Sequence, residues 1–242
     1  MVTASVPGMA RLHLLRVFCH AAGEAGNPLA VFLDGSEIPV SRRQQIAAEL
    51  GLSETVFVDG ASSGEMRIFT PAVELEFAGH PSVGTAWLLA RERAPVTALR
   101  PPAGEVAVRY EEGLTYIAAQ PDWAPPFDHV QLDSPAEVDA LEGPPGDGDV
   151  TATWAWIDER AGLVRSRVFP LRYGIAEDEA TGAAAVRLCA LLRRAIDIRQ
   201  GRGSRILARP LGDGRVEIGG ETVLDEARDY QMRQVARPRF SR

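Results

Sequence analysis

The sequence predicts an α/β (α+β) chain made of two pseudo-symmetric halves, each a mixed or antiparallel sheet wrapped around one central apolar helix. Three observations carry this expectation. Short strand-like runs alternate with turns along most of the chain. Two helical stretches, one opening at Gly79 and one at Ala183, are apolar on nearly every side and must therefore be enclosed. Between them lies a segment dense in proline and glycine that separates two runs of similar outline.

The elements follow in order. Leu12, Leu14, Val17 and Phe18 mark a strand over 11–19, and the Gly26-Asn27-Pro28 turn leads into a second over 29–33. Ser41 is placed to cap a helix with Ile46, Ala47 and Leu50 on one side, ending at Gly51, where a left-handed residue is easily accommodated. Strands over 54–58 and 66–70 come next. Gly79-His80-Pro81 then opens an apolar helix to about Arg93, with Pro95 as its stop. Runs 104–110 and 114–119 alternate as a hairpin around Glu112-Gly113. Six prolines between 121 and 150 suit a crossover. This divides the chain into an N-terminal domain over 11–120, a crossover over 121–150 and a C-terminal domain over 151–235. The last contains strands near 152–158 and 163–169, a helix from Ala183 to about Ala195, and strands at 204–208 and 215–218. Met9 is an alternative start to Met1.

Composition narrows the function. The 242 residues are 45% hydrophobic and 24% charged, near globular averages, and all 26 basic residues are Arg. The absence of Lys excludes Schiff-base chemistry and a P-loop lysine. Thirty-three acidic residues give a formal net charge of −7, which repels a phosphate backbone, so nucleic acid is not expected as a partner. No apolar run is long enough to span a membrane. Two cysteines and four histidines without ligand spacing suggest neither a disulfide framework nor a structural metal, and a cytoplasmic location is expected. Cys19 and Cys189 read as small core hydrophobes.

Several residues carry chemical interest. Glu54 alternates with Leu52, Val56 and Val58, which puts a carboxylate on an aliphatic face. Desolvation there would raise its pKa toward the working pH of a group that takes and returns a proton. His80 stands at a helix start, where it can donate to a ligand or pass a proton, or simply cap the helix. Asp178, in the acidic run Glu177-Asp178-Glu179, can orient a ligand or serve only as a dipole partner. Asn27, the sole Asn, is as much a turn former as a ligand contact. The turns Gly79-His80 and Thr181-Gly182 precede the two apolar helices, whose unpaired first-turn N–H groups would hold a small carboxylate if they converge.

These residues also match a known pattern. Gly26-Asn27-Pro28-Leu29-Ala30-Val31-Phe32, Leu52-Ser53-Glu54-Thr55, Ile68-Phe69-Thr70-Pro71, Phe77-Ala78-Gly79-His80-Pro81 and Gly174 to Gly182 resemble, in order, the PhzF family of phenazine-biosynthesis-like isomerases. The resemblance implies a diaminopimelate-epimerase-like fold with the active site between two domains, a cofactor-free reaction on a small-molecule substrate, and a homodimer. It implies that Glu54, in the Leu-Ser-Glu-Thr motif, moves a proton between carbons, as in trans-2,3-dihydro-3-hydroxyanthranilate isomerisation. His80 and Asp178 would assist, with Asn27, Gly79, Thr181, Gly182 and Ala183 at the substrate. Two positions depart from the pattern: Ala183 stands where serine is usual, and Glu179 replaces proline, placing negative charge near the entrance. Ala78 and Ala180 at the helix starts exclude a two-cysteine epimerase. An inactive small-molecule binding protein of the same fold, and a lyase or cyclase using the same Glu, remain open as alternatives.

Overall fold

Continuous apolar runs in a strand mean that both of its faces are covered, and the first half of the chain shows how. A computed structural model describes residues 9–20 and 23–232. It begins with β1 (Met9–Cys19), β2 (Asn27–Phe32), α1 (Val40–Leu50), β3 (Glu54–Gly60), β4 (Glu65–Phe69) and β5 (Glu74–Leu75). Alternate residues of these strands serve two cores. Leu29, Val31, Val56, Val58, Met66 and Ile68 face the main core, while Ala30, Phe32, Phe57 and Phe69 face a second cluster completed by Ile46 and Ala47 of α1. Leu52, which precedes the strand in a bend, packs into the second cluster rather than on the Glu54 face.

The chain continues through α2 (Gly79–Glu92), β6 (Ala98–Leu99), β7 (Val106–Glu111) and β8 (Leu114–Ala119), then β9 (Asp128–Gln131), α3 (Pro135–Asp139), β10 (Thr151–Asp158) and β11 (Leu163–Phe169). It closes with α4 (Gly182–Leu192), β12 (Ile196–Gln200), β13 (Ser204–Pro210) and β14 (Val216–Gln231). Strand order runs β5-β4-β3-β2-β1-β14-β13-β12-β11-β10-β9, with β8, β7 and β6 branching from β14. Helix α2 lies against β1, β2, β3, β8 and β14; α4 lies against β13 and β14 and touches α2. Both helices are enclosed as their all-round apolarity requires.

Several sequence expectations are corrected. Ser41 does not cap α1: Pro39 occupies the cap position and makes no side-chain cap bond, whereas Gly51 ends the helix at φ 65 as anticipated. Helix α4 stops at Leu192, because Arg193 adopts the left-handed conformation (φ 54) without the glycine that would have announced it. The residues that follow form β12, whose Ile196 and Ile198 are buried. The final strand is much longer than expected. Its start pairs with β8 and β13, and residues from Glu221 onward pair with β1. The proline-rich segment is structured as well: β9 pairs in parallel with β10, and Ser134 caps α3 by accepting from the Glu137 amide. The part of the expected C-terminal domain beyond residue 232 lies outside the described residues.

Both cysteines are free and buried, and burial pushes the thiols up, Cys19 to about 11 and Cys189 to about 12. Among the described residues no helix is long and apolar enough to cross a membrane.

Candidate active site

Topology brings the chemical groups to one place. Parallel pairing of β2 with β3 sets Glu54 opposite Leu29, so Asn27 and Glu54 occupy the same end of the sheet. Helices α2 and α4 meet there at their N-termini. A Cβ built on Gly79 would lie 2.8 Å from the Gly182 Cα, so the two backbones touch, and only glycine permits that approach. First-turn amides, which a helix leaves without internal partners, and two helix dipoles therefore converge beside Glu54, His80 and Asp178.

Asp178 is held from behind. The Asn27 amide donates to Asp178 Oδ1 and to the Ala180 carbonyl, both at 2.8 Å, and the Thr181 hydroxyl donates to Asp178 Oδ2 at 2.6 Å. Gln200 Nε2 donates to the Asp178 carbonyl and to Thr181 Oγ1, both at 2.9 Å, while its Oε1 accepts from the Thr181 amide. The Asp178 carboxyl is fully partnered. Glu54 is not. Its Oε2 is buried, accepts no hydrogen bond and lies 3.2 Å from His80 Nε2.

Electrostatics follow from burial. Desolvation raises Glu54 to about 7, partly countered by the Ser53 hydroxyl. Asp178 rises to about 6, first through desolvation and then through the neighbouring Glu54 charge, opposed by His80, Thr181 and Asn27. His80 falls to about 4 because burial disfavours the imidazolium. The neutral ring interacts with the backbone of Pro28, which has only a carbonyl to offer, so the imidazole must donate there. Since Nε2 is unpartnered, the donor is Nδ1–H, and Nε2 presents a lone pair toward Glu54.

Glu54 and Asp178 open onto a cavity of about 350 Å³. Its walls are largely apolar, with Leu75, Phe77, Trp123, Pro125, Pro126, Phe127 and Tyr173. Phe77 and Trp123 pack ring to ring at 5.8 Å. Thr181 and Ala183 also line it, whereas His80, Asn27, Gly79 and Gly182 stand behind the wall. Among the described residues no group of three or more His, Cys, Asp and Glu side chains is placed to hold a metal.

The sequence-wide comparison agrees with the geometry. A family model described as phenazine biosynthesis-like protein (PhzC-PhzF) matches residues 15–144. The chain belongs to the PhzC-PhzF family. A trans-2,3-dihydro-3-hydroxyanthranilate isomerase of Pseudomonas aeruginosa is 32% identical, the match covering 85% of this chain and 94% of that protein. The corresponding isomerase of Pseudomonas fluorescens is 31% identical over 89% of this chain and 90% of its own length. Among solved structures, a PhzF-family protein of Enterococcus faecalis superposes with a TM-score of 0.70 at 23% identity, covering 92% of this chain and 99% of that one. A hydroxyproline epimerase from Agrobacterium vitis shares the fold alone, with a TM-score of 0.60 at 11% identity over 92% of this chain and 91% of that one. The fold is thus the diaminopimelate-epimerase-like one, and the protein is a PhzF-type isomerase.

Within this PhzF-type chain, all eight sequence-anticipated site residues fall in one cluster or directly behind it. Glu179 is the exception to the reading of the motif. It is turned away from the entrance: it accepts from Ser204 Oγ at 2.9 Å and from the Arg202 amide, tying the turn after β12 to its own loop, and Ser204 in turn accepts from the Gly26 amide. Gln200, Trp123, Phe127 and Arg187 were missed. For Arg187 a signal existed, since it follows Ala183 by four residues and so shares its helix face. For Gln200 none existed, because its place in β12 depends on pairing.

Proposed function

We propose that this protein isomerises trans-2,3-dihydro-3-hydroxyanthranilate or a close analogue of it, with Glu54 as the single general acid/base. The observation that carries the reading is a buried carboxylate oxygen with no hydrogen-bond donor, on the wall of a largely apolar cavity, in a group whose pKa is lifted to about 7. Such an atom is a base without a proton to hold, poised near neutrality. The carboxylate takes a proton from one substrate carbon, the electron pair left behind spreads into the unsaturated system, and the same proton returns to a different carbon. Glu54 ends as it began, and no atom is gained or lost.

Surrounding groups support the step. The lone pair on His80 Nε2 accepts from Glu54 while Glu54 carries the proton, which steadies the acid without charging the ring. Asp178, fixed by Asn27 and Thr181, orients the ligand. The helix starts at Gly79 and Gly182 favour negative charge on the ligand as the carbon acid ionises. The family resemblance supports a homodimer as the working form, which sedimentation tests.

Product formation from trans-2,3-dihydro-3-hydroxyanthranilate in D₂O, followed by NMR, gives the direct test. Wild-type enzyme should convert it with proton or deuteron delivered to carbon, and Glu54→Gln should lower the rate by about 10²–10⁴-fold. Undiminished turnover in Glu54→Gln would remove the assignment.

A further inference from the structure

Two buried carboxyls face one cavity, and a proton shuttle needs its proton on a particular one of them. Glu54 comes from β3 and Asp178 from the loop before α4, with His80 of α2 as the third titratable group facing the pair. Two like charges in one buried space oppose each other, so the surroundings decide which acid gives way. We propose that Gln200 is the positioning residue behind this choice: from the end of β12 it fixes the Thr181 hydroxyl as a donor to Asp178, so that Asp178 stays ionised and the proton resides on Glu54, whose use of that proton rests on the isomerase reading.

The hydrogen-bond directions around Gln200 admit one assignment. The Asp178 carbonyl can only accept and the Thr181 amide can only donate, so Gln200 must turn its nitrogen to the first and its oxygen to the second, at 2.9 and 3.1 Å. Gln200 Nε2 also donates to Thr181 Oγ1 at 2.9 Å. With a donor already on its oxygen, the threonine has its single proton left to give, and Asp178 Oδ2 receives it at 2.6 Å. Asp178 Oδ1 meets Asn27 Nδ2, which likewise only donates. Both oxygens are therefore acceptors, the arrangement that favours a carboxylate over an acid. Glu54 has the Ser53 hydroxyl beside it, a proton shared with Asn27 Oδ1 at 3.3 Å, while its Oε2 has no donor and faces a lone pair on His80 Nε2. That arrangement favours the acid.

Gln200 is itself held on two sides, which suits a residue that must keep another in place. It is buried, and β12 pairs it with Ser166 of β11 and Ser204 of β13. The turn that follows grips the same loop one residue on. The Arg202 amide and the Ser204 hydroxyl donate to the Glu179 carboxylate, and a Cβ at Gly201 (φ 57) would lie 2.6 Å from the Glu179 carbonyl oxygen. Ser204 also accepts from the Gly26 amide, next to Asn27. One turn thus supports both donors of Asp178, Thr181 through Gln200 and Asn27 through Ser204 and Gly26.

Carboxyl titration by ¹³C NMR, on protein labelled at aspartate and glutamate, reads the choice directly, with Asp178→Asn and Glu54→Gln assigning the two signals. In wild type the lower step of the pair should appear at Asp178 and the upper at Glu54. Gln200→Met keeps the length of the side chain without its hydrogen bonds and should raise the Asp178 step by about one pH unit, about a tenfold loss in its ionisation equilibrium. Gln200→Glu should raise it further, because an ionised carboxylate there draws the Thr181 proton away and adds a like charge. Thr181→Val removes the directed proton itself and should also raise the step, which keeps the test decisive should the Gln200 variants not fold. A lower melting temperature with the Asp178 step unmoved would reduce Gln200 to a structural contact, and a wild-type Asp178 step above that of Glu54 would equally overturn the proposal. The titration needs no substrate. If Glu54→Gln turns over undiminished while the Asp178 step still moves in the Gln200 variants, the proton-shuttle reading falls and the assignment of Gln200 stands.

Discussion

Glu54, Asp178 and His80 occupy about the same buried space yet respond to pH in opposite directions. Glu54 and Asp178 titrate above their ordinary carboxylate values, at about 7 and about 6, because the interior disfavours their charge. The stability they contribute is full below the unfolded carboxylate range and is lost as pH rises through 6 to 7. His80 titrates below its ordinary value, at about 4, so its contribution is present above the unfolded histidine range and is lost as pH falls through 4. Chemical denaturation of wild type and Glu54→Gln at about pH 5 and about pH 8 separates these effects. The variant should gain on the order of 2 kcal/mol relative to wild type between the two conditions. A difference that is flat with pH would mean that Glu54 is not desolvated. At this scale the sequence was informative: strand alternation beside Val56 and Val58 placed Glu54 on an apolar face, and burial did the rest.

Helix ends are the next level, and here two glycines do what no other residue can. Gly79 and Gly182 let α2 and α4 touch through their backbones, with Ile218 closing the remaining side. Gly79→Ala would force a methyl against the Gly182 backbone, a rigid neighbour, and should cost about 1–3 kcal/mol in stability while shifting His80 relative to Glu54 and Asp178. Gly84→Ala, deeper in α2, meets side chains rather than backbone, Leu29 and Val17 at 2.7 Å and Leu15 at 3.5 Å, so its cost is one of core packing away from the helix starts. Thermal melts and turnover measured on both variants should show a much larger catalytic loss, per unit of lost stability, at Gly79 than at Gly84; equal losses would make the contact ordinary packing. Motif spacing announced both helix starts, but that they meet was a conjecture until the sheets were folded around them.

For the molecule as a whole, β14 is the element that joins the halves. It pairs first with β8 and β13 and then with β1, and Gly219 and Gly220 sit where a Cβ would strike Tyr116, Thr115, Phe18 and Arg205. Phe18 itself takes a positive φ of 65 at a bulge between β1 and β14. Because one strand is shared, neither half can lose its sheet alone, and calorimetry should record one cooperative transition with equal calorimetric and van't Hoff enthalpies. Two resolved transitions would contradict the shared-strand account.

Local periodicity, turn chemistry and the Leu-Ser-Glu-Thr and Gly-His-Pro motifs determined the family, the two enclosed helices, the hairpin at Glu112-Gly113 and the apolar face on which Glu54 lies, because each of these is written in runs of a few residues. Tertiary structure decided the rest: the long reach of β14, the strand β9 inside a proline-rich stretch, the turning of Glu179 toward Ser204, and the presence of Arg187 and Trp123 at the cavity. Those outcomes depend on which distant segments oppose one another, and pairing partners and cavity walls are fixed by the fold's closure, which no short window of sequence contains.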